Sequence, residues 1–514
     1  MNRSSSSITI LLILFFQFPF AVSAQEPVLH LDSIYSEVLK EQRAIQVIYP
    51  DNYDPSQKES YDMLLVLEGI APFVRLQWQF LQGEGFIPKN MIMVGLPNTV
   101  KDGVDMRDRD FTPTVTWQGT GGAANFITFL KKELLPYIKN KYPVKDSGHT
   151  IYGGSLSGLL VMTAFVTDLG LFTSYMAVDP SLWYDNFYIN KLAAKKFETL
   201  QRLHNSLWIA GRIGHAYNEM GIAMMDSILQ AKAPEGLDWA CQKYPNETHY
   251  STQFKGCWDG LKFSYGGFYA STGGYVASRI IDISPLNGTV VPGVPFTLSS
   301  YNLQSAKYIH YTMDGTEPTK ASPTLDERNK ISISAESKII ARSFGIRDEY
   351  NKVTTAIFKT SDWFPSVQLP GKAKSGGLHY SYYEGSSDQL SGFKKAKPMK
   401  SGVAAKDFEL SAFPAQKDFA ILLEGYIEIK KDGYYLLSLG GEEGSKVYLD
   451  NNLVLGQHYH QQIRGENYLV PLAKGFHKIE IQYWHKKNGQ NLQPVYITPE
   501  SQDGYPIPPD ILYY

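Results

Sequence analysis

A serine and a histidine in this chain sit in local patterns suited to nucleophilic catalysis. The serine is Ser155, at the tip of Gly153-Gly154-Ser155-Leu156-Ser157-Gly158. The residues before this corner read as a strand and those after it as a helix. Small neighbours let a backbone turn tightly and lift the hydroxyl above a sheet edge, and a helix start offers free N–H groups to a developing oxyanion. The pattern G-x-S-x-G is filled by Gly153, Ser155 and Ser157, with serine in the last place. A serine hydroxyl is a poor nucleophile until a histidine takes its proton and a third group orients that histidine.

His249 is the candidate base. It lies in the polar stretch Tyr244-Pro-Asn-Glu-Thr-His-Tyr-Ser251, after the last strand of the first region and before an aromatic helix, Phe254 to Tyr265. His204 precedes a strand in a basic, solvated stretch, and His215 follows a strand where an acid is expected. In α/β-hydrolase order the acid lies between serine and histidine. Glu219, the first carboxylate after the strand Ser206–Ala210, is the candidate acid; Asp179, Asp185, Asp226 and Asp238 are the alternatives. The oxyanion would be met by the backbone N–H of Leu156 and of Gly69 or Ile70, in the loop leaving the strand Met63–Leu67. Arg107, Arg109 and Asp110 either line the cleft or pin their loop as an ionic network.

These residues need a scaffold that alternates strands and helices. Apolar strand signals at Ala44–Tyr49, Met63–Leu67, Met91–Leu96, Thr150–Tyr152, Ser174–Val178 and Ser206–Ala210 are separated by helical stretches, including Asn125 to Tyr142. That grammar predicts an α/β fold with a mostly parallel sheet covered on both faces. It spans residues 25–280. Beyond it lie short strands and turns: one all-β sandwich over 281–360, a Pro/Gly-bearing linker over 361–377, and a second all-β unit over 378–514.

Bulk properties narrow the function. The chain has 514 residues and a net charge of −2, so no basic surface argues for nucleic acid. The 34 Tyr and 8 Trp favour β-rich accessory units with sugar-facing surfaces. A positive start at Met1-Asn-Arg3, an apolar core over Ile8–Val22 and the small residues Val22-Ser23-Ala24 read as a cleavable signal peptide over 1–24. No segment is long enough for a membrane span, so the expected location is secreted or periplasmic. The two cysteines, Cys241 and Cys257, bracket His249, and an oxidising compartment predicts a disulfide between them.

The first region resembles the putative-esterase family of α/β-hydrolases, which includes siderophore, feruloyl and acetyl-xylan esterases. The matching stretches are Met63-Leu-Leu-Val-Leu-Glu-Gly69, with Glu for the family's Asp, Arg107-Asp-Arg-Asp-Phe-Thr-Pro113, Gly153–Gly158, Asp179-Pro-Ser-Leu-Trp-Tyr-Asp185, Glu219-Met220 and His249-Tyr-Ser251. The resemblance implies Ser155 as nucleophile, His249 as base and Glu219 as acid, with no cofactor and no metal. The second region, through Tyr311–Thr319 and Ala341–Phe344, resembles the Ig-like module of chitobiase-type glycosidases. The third, through Leu378–Gly385, Glu424–Tyr435 and Gly444–Asp450, resembles the β domain named after anthrax protective antigen. Some relatives of that domain bind glycans, a few through calcium on an Asp-Asp pair; Glu442-Glu443 stands there, which argues against calcium. The expected function is an exported serine esterase acting on acetyl or feruloyl groups of polysaccharide. A siderophore esterase and a non-catalytic glycan-binding protein are the alternatives.

Overall fold

Runs of Val, Ile, Leu and Met too short for helices and flanked by turn residues form the central strands of one sheet. The structure is a computed structural model describing residues 29–54, 56, 60–268, 281, 283–300, 308–325, 330–385, 393–404, 418–440, 445–457, 467–485, 492–499, 501 and 504–514. The expected leader and the Glu442-Glu443 pair lie outside the described residues.

The first unit holds an eight-stranded sheet. Its strands are β1 (Leu29–Ser36), β2 (Glu41–Ile48), β3 (Asp62–Leu67), β4 (Met91–Leu96), β7 (Thr150–Gly154), β8 (Ser174–Val178), β9 (Ser206–Arg212) and β10 (Asp238–Tyr244); β5 (Val100–Lys101) and β6 (Val104–Asp105) form a separate exposed hairpin. The order is β1-β2-β4-β3-β7-β8-β9-β10. Pairing is antiparallel from β1 through β4 and parallel from β4 to β10, the mostly parallel α/β sheet the alternation predicts.

Side chains alternate between two cores. Met63, Leu65 and Leu67 face one, Leu64 and Val66 the other. The second core takes α1 (Pro72–Gly83) and α9 (His249–Ser264). The first takes α2 (Arg107–Phe111), α3 (Ala123–Phe129), α4 (Leu135–Lys141), α5 (Ser155–Thr167), α6 (Tyr184–Lys196), α7 (His215–Glu219) and α8 (Ile222–Lys232). A π-helical turn, Leu130–Leu134, joins α3 to α4. Pro136 follows it, where a missing N–H would break a regular ladder. α5 is apolar on every side because it is buried throughout. No described helix is long and apolar enough to cross a membrane.

The expected disulfide is absent. Cys241 on β10 packs against the first core and Cys257 on α9 against the second, so the sheet separates two free thiols. Burial pushes both thiols above their ordinary range.

The β-rich remainder is more tightly joined than its turn-rich sequence suggests. Strand Asn287–Val290 pairs in parallel with Val353–Thr360 on one side and with Asn467–Leu472 on the other, so strands from both β units share one eight-stranded sheet. Gly288 makes this approach possible: a Cβ there would stand 2.4 Å from Leu469 Cβ. The segment read as a linker lies along the last unit, with bridges from Phe364 to Leu472, Val367 to Phe476 and Ser375 to Tyr513.

The accessory part also grips the first unit, at the amino-terminal end of its parallel strands. Buried Arg347 donates to Gly148 O (3.0 Å), Thr150 Oγ1 (2.8 Å), Ser174 Oγ (2.9 Å) and Ser264 O, and lies 4.0 Å over the Tyr265 ring. Nearby, Tyr350 donates to Asp62 Oδ2 (2.7 Å) and Tyr308 to Asp238 Oδ2 (3.0 Å).

Candidate active site

At the opposite, carboxyl-terminal end, three neighbouring parallel strands each finish in a non-glycine residue of left-handed conformation. Glu68 follows β3 (φ +66°), Ser155 follows β7 (φ +56°) and Asp179 follows β8 (φ +44°). Such residues cost roughly 1–2 kcal/mol each and persist where their surroundings hold them. The elbow around Ser155 is held by close packing. A Cβ on Gly153 would meet Ser157 O at 2.6 Å, and one on Gly154 would meet the Gln253 side chain at 1.8 Å. Ser157, the residue that departs from the glycine pattern, is fully buried, accepts the Gly154 N–H (3.0 Å) and donates toward Gly154 O (2.7 Å) and Glu68 Oε2 (3.1 Å). A hydroxymethyl group therefore fits this corner and is tied into it.

His249 is the first residue of α9, whose start extends five residues N-terminal of the expected Phe254. Thr248 caps the helix: Thr248 Oγ1 accepts the Ser251 N–H (3.1 Å), and Ser251 Oγ accepts the Thr248 N–H (2.8 Å). One turn on, Gln253 donates to Val178 O (3.1 Å) and accepts from Tyr152 Oη (3.3 Å), which seats the start of α9 over the ends of β7 and β8.

The carboxylate at His249 is Asp179, not Glu219. His249 Nδ1 and Asp179 Oδ2 are 2.6 Å apart. Asp179 is fully buried, its N–H donates to Ala210 O (2.7 Å), and its Oδ2 also accepts from Arg212 Nε (2.8 Å). A carboxylate on Nδ1 directs Nε2, the other ring nitrogen, outward as the proton acceptor. The Ser181 N–H donates to Ser155 O (3.0 Å), so the nucleophile corner and the Asp179 loop are tied through the backbone.

Glu219 pairs instead with His215 (2.9 Å), with both side chains exposed at 63% and 86%. α7 carries this pair outward, whereas the carboxylate at His249 comes one strand earlier, directly off β8. The remaining carboxylates are engaged elsewhere. Asp185 accepts from Thr114 Oγ1, Asp226 from Tyr217 and Gln230, and Asp238 from Tyr308. His204 is exposed. Arg109 and Asp110 join Glu41 and buried Arg43 in an ionic network, while Arg107 pairs with Glu68.

The oxyanion candidates separate as well. The Ile70 N–H is donated to Gln46 Oε1 (2.8 Å), which leaves Gly69 (φ +84°) as the candidate in that loop. Leu156 is the second residue of α5, where an N–H has no carbonyl four residues back within the helix. Arg212 and Gln253 escaped the sequence reading. The only available signal was position: Arg212 ends a parallel strand beside β8, and Gln253 stands one helical turn after the histidine.

Three comparisons bear on these observations. Residues 36–256 match the family model described as "Putative esterase", and residues 376–510 match that of the PA14 domain. The ferri-bacillibactin esterase BesA of Bacillus subtilis is 28% identical over 169 residues, covering 29% of this chain and 58% of that protein. A siderophore triacetylfusarinine C esterase of Aspergillus fumigatus is 28% identical over 172 residues, covering 31% and 59%. The chain thus spans under two thirds of the length of these curated relatives. Among solved structures, an IroE-like serine hydrolase from Shewanella oneidensis is similar with a TM-score of 0.41 and 29% identity, over 46% of this chain and 79% of that one. The likeness to the putative-esterase family thus lies over residues 36–256, the part that carries Ser155, Asp179 and His249, and the likeness to the PA14 domain over residues 376–510.

Proposed function

We propose that the chain hydrolyses carboxylic esters through Ser155, His249 and Asp179. The 2.6 Å contact of His249 Nδ1 with buried Asp179, beside a serine held left-handed at a strand-to-helix corner, carries this reading. Ser155 Oγ attacks the acyl carbon as His249 Nε2 takes its proton. The tetrahedral oxyanion forms against the N–H groups of Leu156 and Gly69. His249 then gives the proton to the leaving alcohol, and water, activated by the same ring, releases the acid. Asp179 keeps the ring in its working tautomer and stabilises the imidazolium.

The names of the relatives favour an ester of the siderophore class. Exposed aromatic rings near the acid and base, Trp183 and Tyr250, suit a large, partly apolar substrate. A second reading, acetyl or feruloyl groups on polysaccharide, is favoured by the PA14 domain. An exported location, expected from the leader, suits both. The test is a panel of p-nitrophenyl acetate, a ferric tri-catecholate trilactone, acetylated xylan and feruloylated arabinoxylan, with wild type and Ser155→Ala. Ser155→Ala should lose nearly all hydrolysis of every ester. Cleavage of the trilactone alone among the natural substrates supports the siderophore reading, and cleavage of the polysaccharide esters alone the other. Equal rates for wild type and variant on all four would overturn the hydrolase and leave glycan binding.

A further inference from the structure

The two places where the esterase motifs depart from their usual residues, Glu68 for Asp and Ser157 for Gly, meet in space. Glu68 Oε2 lies 3.1 Å from the Ser157 hydroxyl, which shares its one proton between this oxygen and Gly154 O (2.7 Å), and the other Glu68 oxygen pairs with Arg107 Nε at the start of α2. Glu68 is held left-handed (φ +66°), and the next peptide supplies the Gly69 N–H. Ser157 lies two residues after the nucleophile and one after Leu156. One carboxylate therefore spans both arms of the oxyanion pocket, the loop after β3 and the first turn of α5. Glu68 is 30% exposed and Arg107 31%, so the pair is partly screened by solvent.

A carboxylate here has two opposing effects. As a tether it fixes the spacing of Gly69 relative to Leu156, on which oxyanion stabilisation depends. As a charge it opposes the oxyanion that forms nearby, unless a cation cancels it. Arg107 supplies that cation and holds the outer oxygen, while Ser157 holds the inner one. We propose that Arg107 and Ser157 are positioning residues acting through Glu68: they clamp the oxyanion loop to the nucleophile corner, and Arg107 cancels the clamp's charge. This rests on the Ser155 hydrolase reading above.

The experiment uses the full chain with p-nitrophenyl acetate as substrate. An aryl trifluoromethyl ketone serves as a probe, since its hemiketal with a serine carries the oxyanion. Arg107→Gln leaves Glu68 uncancelled and should lower kcat about 10–30-fold with KM within about twofold, the split expected when an interaction made only in the transition state is lost. Ketone affinity should fall in parallel. Adding Glu68→Gln to Arg107→Gln removes the charge while keeping an amide that can still bond Ser157, and should restore kcat to within about threefold of wild type. Ser157→Ala should cost about 3–10-fold in kcat in the wild-type background and less when Glu68 is already alanine.

A double variant no better than Arg107→Gln would overturn the proposal. So would a rise in KM at constant kcat, or unchanged ketone affinity. Arg107→Lys, which keeps the charge, should recover most of the activity; if it matches Arg107→Gln in a folded protein, charge cancellation fails. Labelling with a fluorophosphonate separates the two levels of argument. If wild type is labelled at Ser155 and the Arg107 variants behave as wild type, only the clamp fails; if Ser155 is not labelled, the hydrolase reading falls and the clamp with it.

Discussion

The two ends of the parallel sheet are built on opposite principles. At the carboxyl end, Glu68, Ser155 and Asp179 are all in left-handed backbone, and Asp179 Oδ1 is buried with no hydrogen-bond partner among the described residues. At the amino end, a side chain from the accessory part enters: Arg347 is 4% exposed and reaches four acceptors on the first unit. One end holds strain where a reaction needs geometry, and the other seals polar ends of strands that would otherwise face water. The same sheet can do both because each end lies on loops independent of the other. Substitutions at the carboxyl end should change rates with little change in stability, and those at the amino end the reverse.

The largest expected effect is at Asp179. Asp179→Asn keeps the shape but no longer favours the tautomer with Nε2 free to accept a proton, and should lower kcat by about 10²–10⁴ while the melting temperature moves little. Glu219→Gln, on a surface pair with His215, should leave kcat and KM within about twofold of wild type. Steady-state kinetics on p-nitrophenyl acetate compares the two directly. If Glu219→Gln were the impaired variant and Asp179→Asn the normal one, the assignment of the acid would reverse.

That comparison also marks how far the sequence could be read. The tight corner at Ser155 was legible as a local pattern, whereas the helix that carries His249 starts five residues before the expected Phe254. The parallel sheet was legible from the alternation of apolar strands and helical stretches. The carboxylate that meets His249 was not legible in the same way. Any carboxylate after either of two strands satisfies the chain order, and only the pairing of β7 with β8, with α9 laid over them, selects Asp179. The disulfide failed for a related reason. Sixteen positions separate Cys241 from Cys257, but a sheet stands between them. The shared sheet through Asn287–Val290 depends on partners almost two hundred residues apart, which no local pattern records.

At the amino end the expected effect is on stability. Arg347→Met removes a charged donor from Gly148 O, Ser264 O, Thr150 Oγ1 and Ser174 Oγ, of which Ser174 Oγ keeps the Ser206 hydroxyl (2.6 Å). The expected cost is about 3–5 kcal/mol, from several charge-assisted bonds lost inside a buried contact. Calorimetry should show a lower transition, or a first unit melting apart from the β-rich remainder, while kcat/KM on a small ester stays within about twofold at a temperature where the protein is folded. Loss of kcat without a change in melting would join the two ends functionally and break the division of roles.

The smallest effect sharpens the same contrast through pH. His149 sits just before β7 at the sealed end, 3% exposed, and neither ring nitrogen has a hydrogen-bond partner among the described residues. Burial, above all, pushes its pKa down to about 4; Lys139, Arg347 and Lys145 add to this, and Asp62 opposes it. The ring is therefore neutral in the folded protein at a pH where the unfolded chain, with an ordinary histidine pKa near ~6.5, already binds a proton. Between about pH 6.5 and 4 the unfolded state holds more protons, so stability falls as pH falls through that window and levels off below it with respect to this group. The full difference is on the order of 3–4 kcal/mol at ~1.4 kcal/mol per pKa unit. A His149→Leu variant should show a flatter dependence of melting temperature on pH over that window. His249 at the other end stays partly open to solvent, with 33% of its side chain exposed. His149→Leu should accordingly leave the pH profile of kcat unchanged, whereas a shifted rate profile would mean that the sealed end reaches the catalytic one.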